Sequence, residues 1–340
     1  MPAQPIAIMN TGLVTSVGLS APASCAAFRA KISNPTETRF IDSGGNWIMA
    51  HQVSLQQPWR GLTKLAKMAA LAIEEALQDL PREQWAGLPL MLCVAETERP
   101  GRMAGLDDEL FLQLQCELGV SFAKASAVVP QGRVGVAVAL MQARKLFIQG
   151  DHQRALIAAT DSLLSWPTLS HYDHDDRLLT ARNSNGFMPG EGAGALLVGA
   201  PSGEAGELVC TGIGFTRESA HISSDDPHRA DGLSQAVKLA LADAGTRQHD
   251  IDFRITDVAG ELYYFKEASL ALSRTRPYRG EVPALWHPAE STGEIGATAG
   301  CSCLALGAAA AQKAYAPGTH TLLHFANDAG QRAAVIASIG

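Results

Sequence analysis

The stretch Asn185-Gly186-Phe187-Met188-Pro189-Gly190-Glu191-Gly192-Ala193-Gly194 constrains this chain more than any other. Glycine at alternate positions, Gly190, Gly192 and Gly194, bares one side of an extended segment. Another backbone can then lie against it with no side chain between. The residues that follow, Ala195–Val198, read as a strand. A dinucleotide loop is therefore set aside, since its glycines would open a helix. Glu191 and its glycines are expected to be scaffold at the middle of a sheet.

Strand-like and helical segments alternate along the chain, which predicts an α/β protein with largely parallel pairing. Ile6–Val14 reads as a strand, and Ser20, with Pro22 just inside, opens a helix to about Lys31. Leu62, Leu65, Ala69, Ala72, Ile73, Ala76, Leu77 and Leu80 share one face of a helix over Leu62–Leu80, stopped by Pro81. Leu88–Ala95 and Arg154–Ala159 are further strands, and Gly135–Gln149 is a helix ended by Gly150. Thr11-Gly12-Leu13 with Thr15 recurs as Thr211-Gly212-Ile213 with Thr216. Behind each copy stands an amphipathic helix, Leu62–Leu80 and then Leu233–Ala244, followed by a strand, Leu88–Ala95 and then Phe253–Val258. The chain reads as a duplication. Pro201, Ser202, Gly203 and Gly206 form a short linker within Ala200–Glu207, which divides it into halves 1–203 and 204–340.

With 340 residues, 46% hydrophobic and 18% charged, the chain is long enough for a sizeable core. A net charge of −7 with no basic run counts against nucleic-acid or acidic-membrane partners. Ile295–Ala311, the longest weakly polar run, is too short and too poor in Leu and Ile to span a bilayer and reads as a buried helix. Met1–Asn10 lacks the charged and apolar regions of a secretion signal, so the mature chain is expected to start here. Cys25, Cys93, Cys116, Cys210, Cys301 and Cys303 lie scattered in mostly apolar surroundings, which suits the reduced thiols of a cytoplasmic protein. The Cys301/Cys303 pair is a weak metal hint. His171-Tyr172-Asp173-His174-Asp175-Asp176 has ligand chemistry but reads as a solvated loop, so no metal and no cofactor is expected. Ser162, Ser165 and Ser170 lack a Gly-x-Ser-x-Gly elbow, which leaves a hydrolase unsupported. Trp47, Trp59 and Trp85 fall in a surface cap, as core or as interface.

The glycine motif is similar to the signature of the β-ketoacyl synthases of the thiolase superfamily, Asp-Gly-Phe, two variable residues, then Gly-Glu-Gly-Ala-Gly. Gly186, Phe187, Gly190, Glu191, Gly192 and Gly194 match it, with Asn185 in place of the Asp. The resemblance covers nearly the whole chain. Asn10–Gly18 is similar to the family's opening strand and turn, and Gly150-Asp151 with Ala155–Thr160 to the segment after the nucleophile helix. Glu267-Ala268 with Leu272-Ser273-Arg274, Ser291–Gly300 and Asn327–Val335 resemble the later catalytic stretches and the closing loop. The implied fold class is α/β, a thiolase-like fold of two similar α/β halves in a layered αβαβα arrangement.

In that family a Cys at the start of a buried helix attacks an acyl thioester, activated by the helix amino terminus. Two histidines stabilise the enolate and the oxyanion. The resemblance places the nucleophile in Pro130-Gln131-Gly132-Arg133-Val134, where Gln131 or Arg133 takes its position and no Cys is present. Gln there would resemble the chain-length-factor subunits of aromatic polyketide synthases. The first histidine falls on Gly260 or Ala259, and the second on Glu294, whose carboxylate would repel an enolate unless burial kept it protonated. The gating phenylalanine of the closing loop is matched by Asp328, followed by Ala329-Gly330. Because such residues act as a unit, losing them costs on the order of 10⁶ in rate in a protease example.

The expectation is a catalytically inactive partner subunit, scaffold or binding module. One alternative is an acyltransferase of altered chemistry that uses Glu294 as acid or base with Arg133 or Gln131 as an anion or carbonyl contact. Another, from the context of similar degenerate proteins, is an accessory role in loading type VI secretion effectors. The implied partners are a second ketosynthase-like chain in a homodimer or heterodimer, and an acyl carrier protein or a secretion effector or adaptor. The acidic net charge counts against carrier proteins, which are themselves acidic.

Overall fold

A computed structural model describes residues 4–276 and 281–340. Of the amino-terminal stretch Met1–Asn10, residues 1–3 lie outside the described residues. The first array of elements is β1 (Ile6–Val14), α1 (Ala21–Ala30), a hairpin of β2 (Thr36–Ile41) and β3 (Trp47–Ala50), α2 (Gly61–Ala76), β4 (Leu90–Cys93), α3 (Glu109–Leu118), β5 (Ala127–Val129), α4 (Gly135–Gln149), β6 (Arg154–Ser162), α5 (Trp166–His174) and β7 (Glu191–Gly199). The second is β8 (Leu208–Arg217), α6 (Asp231–Ala244), β9 (Phe253–Thr256), α7 (Leu262–Thr275), β10 (Ala284–Trp286), α8 (Ala289–Thr292), α9 (Ala299–Gln312), β11 (His320–Ala326) and β12 (Gln331–Ile339).

The strand order is β1-β7-β6-β4-β5 in the first array and β8-β12-β11-β9-β10 in the second. In each, the first two pairings are antiparallel and the last two parallel. The sheet is thus mixed rather than largely parallel. Parallel pairing needs a long crossover, whereas β11 meets β12 across a turn of four residues. Antiparallel contact of β1 with β8, Ile6 opposite Cys210, makes one ten-stranded sheet.

The repeated Thr-Gly pair has one structural job in both arrays. A Cβ on Gly12 would come within 2.0 Å of the Ala72 carbonyl oxygen in α2, and one on Gly212 within 2.1 Å of that of Ala240 in α6. The next residue then donates its N–H to a carboxylate three positions further along the helix: Leu13 to Glu75 at 3.0 Å, and Ile213 to Asp243 at 2.9 Å. Alternation along the strands sets the layers. Ala155, Ile157 and Ala159 of β6 face a central core filled by Val136 and Leu140 of α4 and Cys301 and Leu304 of α9. Leu156 and Ala158 point the other way, onto Leu65 and Met68 of α2. On the second array, Leu233 and Val237 of α6 cover Leu322 and Ile336. The order is αβαβα, with α4 and α9 as the buried middle layer.

Caps set several boundaries. The Ser20 hydroxyl accepts from the Ala23 N–H to start α1, and Gly150, at φ 81°, closes α4. Several boundaries differ from expectation. α2 stops at Ala76, because residues 77–80 form a turn and Leu80 precedes Pro81, a position unfavourable to helix. β4 is shorter than Leu88–Ala95, since the Leu88 N–H is used by the Trp85 carbonyl. His171–His174 form the end of α5 rather than a loop: the Ser165 hydroxyl caps that helix, Pro167 sits in its first turn, and Leu169 and Tyr172 turn inward. Ile295–Ala311 begins with a tight turn at Gly296–Thr298 before α9. Trp85 is buried, Trp59 half-buried and Trp47 exposed. Among the described residues no helix is long and apolar enough to cross a membrane.

Candidate functional site

The buried helices α4 and α9 start from twin turns. Gly132 (φ 52°) lies between Gln131 and Arg133, and Gly296 (φ 55°) follows Ile295. Left-handed backbone favours glycine at both. The space beside each is already taken: a Cβ on Gly132 would meet Glu96 Oε2 at 2.0 Å, and one on Gly296 would meet Asp161 Oδ2 at 2.0 Å. Arg99 ties the two carboxylates together, with Nη2 donating to Glu96 at 2.7 Å and Nη1 to Asp161 at 2.6 Å. One guanidinium thus braces both helix starts.

Arg133 fills the centre. Its Nη1 donates to Glu294 Oε2 and its Nη2 to Asp328 Oδ1, each at 3.0 Å, while Nε stands 3.8 Å from Asp257 Oδ2. Its guanidinium lies 4.3 Å from the centre of the Tyr264 ring, a cation–π contact. Asp328, in the β11–β12 turn, also accepts from the Tyr264 hydroxyl and from Arg177 Nη1 at 2.7 Å. Arg177 forks onto Glu261 at 2.7 and 2.9 Å. Glu294 is held from behind as well: the Gly296 N–H donates to its Oε1 at 2.8 Å, and its backbone pairs with Met188 and Gly190 of the glycine motif.

Three arginines (99, 133 and 177) therefore face six carboxylates (Glu96, Asp161, Asp257, Glu261, Glu294 and Asp328). That imbalance leaves acids to take up protons. Burial, with the Asp257 carboxylate adding to it, pushes Glu294 up to about 7 against the pull of Arg133. Burial also raises Asp257. Asp328 goes the other way, because Arg177 and Arg133 outweigh its burial and hold it well below the usual carboxylate range.

The space left among Glu96, Arg99, Arg133, Tyr172, Arg177, Glu294 and Asp328 is about 10 Å³, at most a single water. A second gap of the same size lies between Asp257, Glu294 and Cys303. Among the described residues no histidine lines either gap, and burial holds the Cys303 thiol well above its usual value.

Of the residues singled out in the sequence, Arg133, Glu294 and Asp328 meet directly. Gly260 (φ 126°) packs on the Gly186 carbonyl, beside Glu261, and Gln131 contributes its carbonyl oxygen to Asn327 at 3.4 Å. Within the motif, a Cβ on Gly190 would come within 2.3 Å of the Thr292 carbonyl oxygen, and one on Gly194 within 2.4 Å of the Cys301 Cβ. Phe187 is buried edge-on to Tyr172, 5.0 Å between ring centres. Glu191 accepts from Lys64, from the Val53 N–H at 2.9 Å and from the Ser162 hydroxyl at 2.9 Å. Arg99, Asp161, Tyr172, Arg177, Glu261 and Tyr264 were missed by sequence reasoning, because isolated charges and tyrosines carry no spacing signal. The acid at the Glu294 position was the one available hint that a cation had to face it.

No protein-family model matches the chain, and no curated protein sequence does. Solved structures do match along its length, and they define the class: a thiolase-like fold of the kind seen in ketosynthases and chain length factors. The ishigamide ketosynthase/chain length factor is 18% identical, with 99% of this chain and 100% of that one covered and a TM-score of 0.75. The ketosynthase of a type II polyketide synthase, solved with its acyl-carrier protein and bound to the hexaketide, is 13% identical, with complete coverage of both chains and a TM-score of 0.82. A ketosynthase in complex with its chain length factor from Xenorhabdus doucetiae is 14% identical, with 99% and 98% covered and a TM-score of 0.76.

Proposed function

We propose that this chain is a non-catalytic ketosynthase-like subunit that works by binding a partner. The observation that carries the reading is the closed ionic cluster. Where a ketosynthase-like protein would need a thiolate, two imidazoles and room for an acyl thioester, this chain has Arg133 clamped by Glu294 and Asp328 around about 10 Å³. The turn before α4 presents glycine at its left-handed position, flanked by Gln131 and Arg133, and the family resemblance puts Gly260 or Ala259, and Glu294, where the two histidines would stand. Glu294, pushed up to about 7, has the proton affinity of an acid–base catalyst, but its Oε2 is occupied by Arg133 and its Oε1 by a backbone N–H.

The partner surface we favour is the edge of β5, which among the described residues pairs on one side only and leads straight into Gln131. An unpaired edge is a template for another strand. A second ketosynthase-like chain, identical or different, would extend the sheet there, and the halves 1–203 and 204–340 would move as one body. An acyl carrier protein or a secretion effector is a further partner of the same subunit, in the cytoplasm. The test has two arms. Purified protein supplied with acyl and malonyl carrier-protein thioesters should release no β-ketoacyl product, and recovery of that product refutes the proposal. Affinity purification from the native host should recover a ketosynthase-like chain or a second copy. A chain that sediments as a lone monomer and recovers neither sinks the partner reading.

A further inference from the structure

We infer a second site, remote from the ionic cluster: a pocket for a small apolar monocarboxylate between α1, α9 and the edge strand β10. The cavity measures about 290 Å³ and is the space of roughly ten water molecules at about 30 Å³ each. Its walls are apolar and aromatic: Phe28 and Leu306 are buried, and Leu285, Trp286 and Tyr315 half-buried. A ligand of about ten heavy atoms fits such a space, and such walls are those of a ligand pocket more than of a water channel.

The polar groups stand at the rim and select the charge. The Arg29 guanidinium lies 4.4 Å from the centre of the Tyr315 ring and, among the described residues, has no carboxylate partner. Stacking on a ring holds the planar cation in place while leaving its N–H edge free to fork onto a carboxylate. Lys31 pairs with Glu290 at 3.3 Å, and His287 Nε2 sits 3.1 Å from the other oxygen of Glu290. Burial lowers His287 below its ordinary value, and the rim's full charges, Arg29 and Lys31 against Glu290, sum to +1 on a chain of net charge −7. One unpaired positive charge suits a monoanion, and the Glu290 carboxylate opposes a dianion.

The measurement is calorimetric titration of the full chain with octanoate and, separately, with octan-1-ol, which has the same chain and no charge. Octanoate should bind one-to-one with a dissociation constant of about 1 mM or tighter. Octanol should bind roughly tenfold or more weakly, since a charge-assisted hydrogen bond is lost. Arg29→Met keeps an apolar side chain over Tyr315 and should bring octanoate down to the level of octanol. Leu306→Phe fills the cavity, leaves Arg29 in place and should abolish binding of both; its far-ultraviolet circular dichroism shows whether the fold is kept. Equal affinity for the two ligands, an Arg29→Met variant that binds octanoate normally, or no saturable octanoate binding by the natural chain overturns the inference.

Discussion

The substitution Glu294→Gln should stabilise this protein at alkaline pH, although it removes one end of a buried ion pair. In the unfolded chain the Glu294 carboxyl titrates at its ordinary 4.5, and in the folded chain burial carries it to about 7. Between these values the folded state binds the extra proton, so stability falls as pH rises through the window and the loss is complete above the folded value. One pH unit of displacement is worth about 1.4 kcal/mol, which makes the total about 3 kcal/mol. Part of it is already lost near pH 5, leaving about 2–3 kcal/mol between about pH 5 and about pH 8. Glutamine mimics the protonated acid and has no such dependence. Urea unfolding of both proteins at the two pH values should show the difference, variant minus natural chain, climbing by that amount. His51, lowered by burial to about 4, and His324, lowered further, make stability rise with pH over much of the same window. Both histidines are present in both proteins, so their contribution cancels in the difference. Had Arg133 instead held Glu294 ionised, the difference would be flat or falling over this range, and either outcome refutes the reasoning.

Arg133→Met leaves Glu294, Asp257 and Asp328 facing one another without their shared cation, and should cost about 3–5 kcal/mol in urea unfolding at neutral pH. A loss below about 1 kcal/mol would mean that the cluster is open to water. Gly132→Ala and Gly296→Ala each force a side chain into left-handed backbone and against a carboxylate oxygen at 2.0 Å, so each should lower stability by at least about 1–2 kcal/mol. An unchanged melting curve for either contradicts the turn geometry. Among the six cysteines only Cys116 is exposed, while burial pushes the thiols of Cys25 and Cys210 up to about 12 and raises those of Cys93, Cys301 and Cys303. A thiol reagent should therefore label one residue of the native chain, identified as Cys116 by peptide mapping, and rapid labelling of Cys303 contradicts a closed site.

How much was legible in the sequence depended on whether a feature acts locally or across the chain. The glycines at 190, 192 and 194 announced close backbone contacts, and the Thr-Gly pairs at 11 and 211 announced a duplication, because in each case the missing side chain is itself the structural device. Ser20 and Gly150 marked helix ends for the same local reason. The polar run His171–Asp176 misled, since its composition suits a loop while the helix signal lies upstream, in Ser165 and Pro167. The ionic cluster was half visible. Arg133, Glu294 and Asp328 could be flagged one by one, but 161 residues separate Arg133 from Glu294 and 151 separate Arg177 from Asp328. No periodicity reports such pairings. Glu261 and Arg99 gave no sign of themselves at all.

The duplication also accounts for where the cluster formed. Two equivalent helices, α4 and α9, begin at equivalent left-handed glycines, and each glycine leaves room that a carboxylate occupies from behind, Glu96 in one case and Asp161 in the other. Two acids brought this close in a dry interior repel unless a cation joins them, and Arg99 does so. The same logic then applies on the open side. Glu294 and Asp257 bring further negative charge to the gap, so an uncharged residue at position 133 would leave them unpaired. Arg133 satisfies them and fills the middle of the gap, and Asp328 with Arg177 completes the closure from the β11–β12 turn. The acids and the arginines are therefore interdependent. A cysteine at position 131 or 133 introduced singly would meet either the clamped guanidinium or the carboxylates it left behind, with no imidazole among the described residues lining the gap to share its proton.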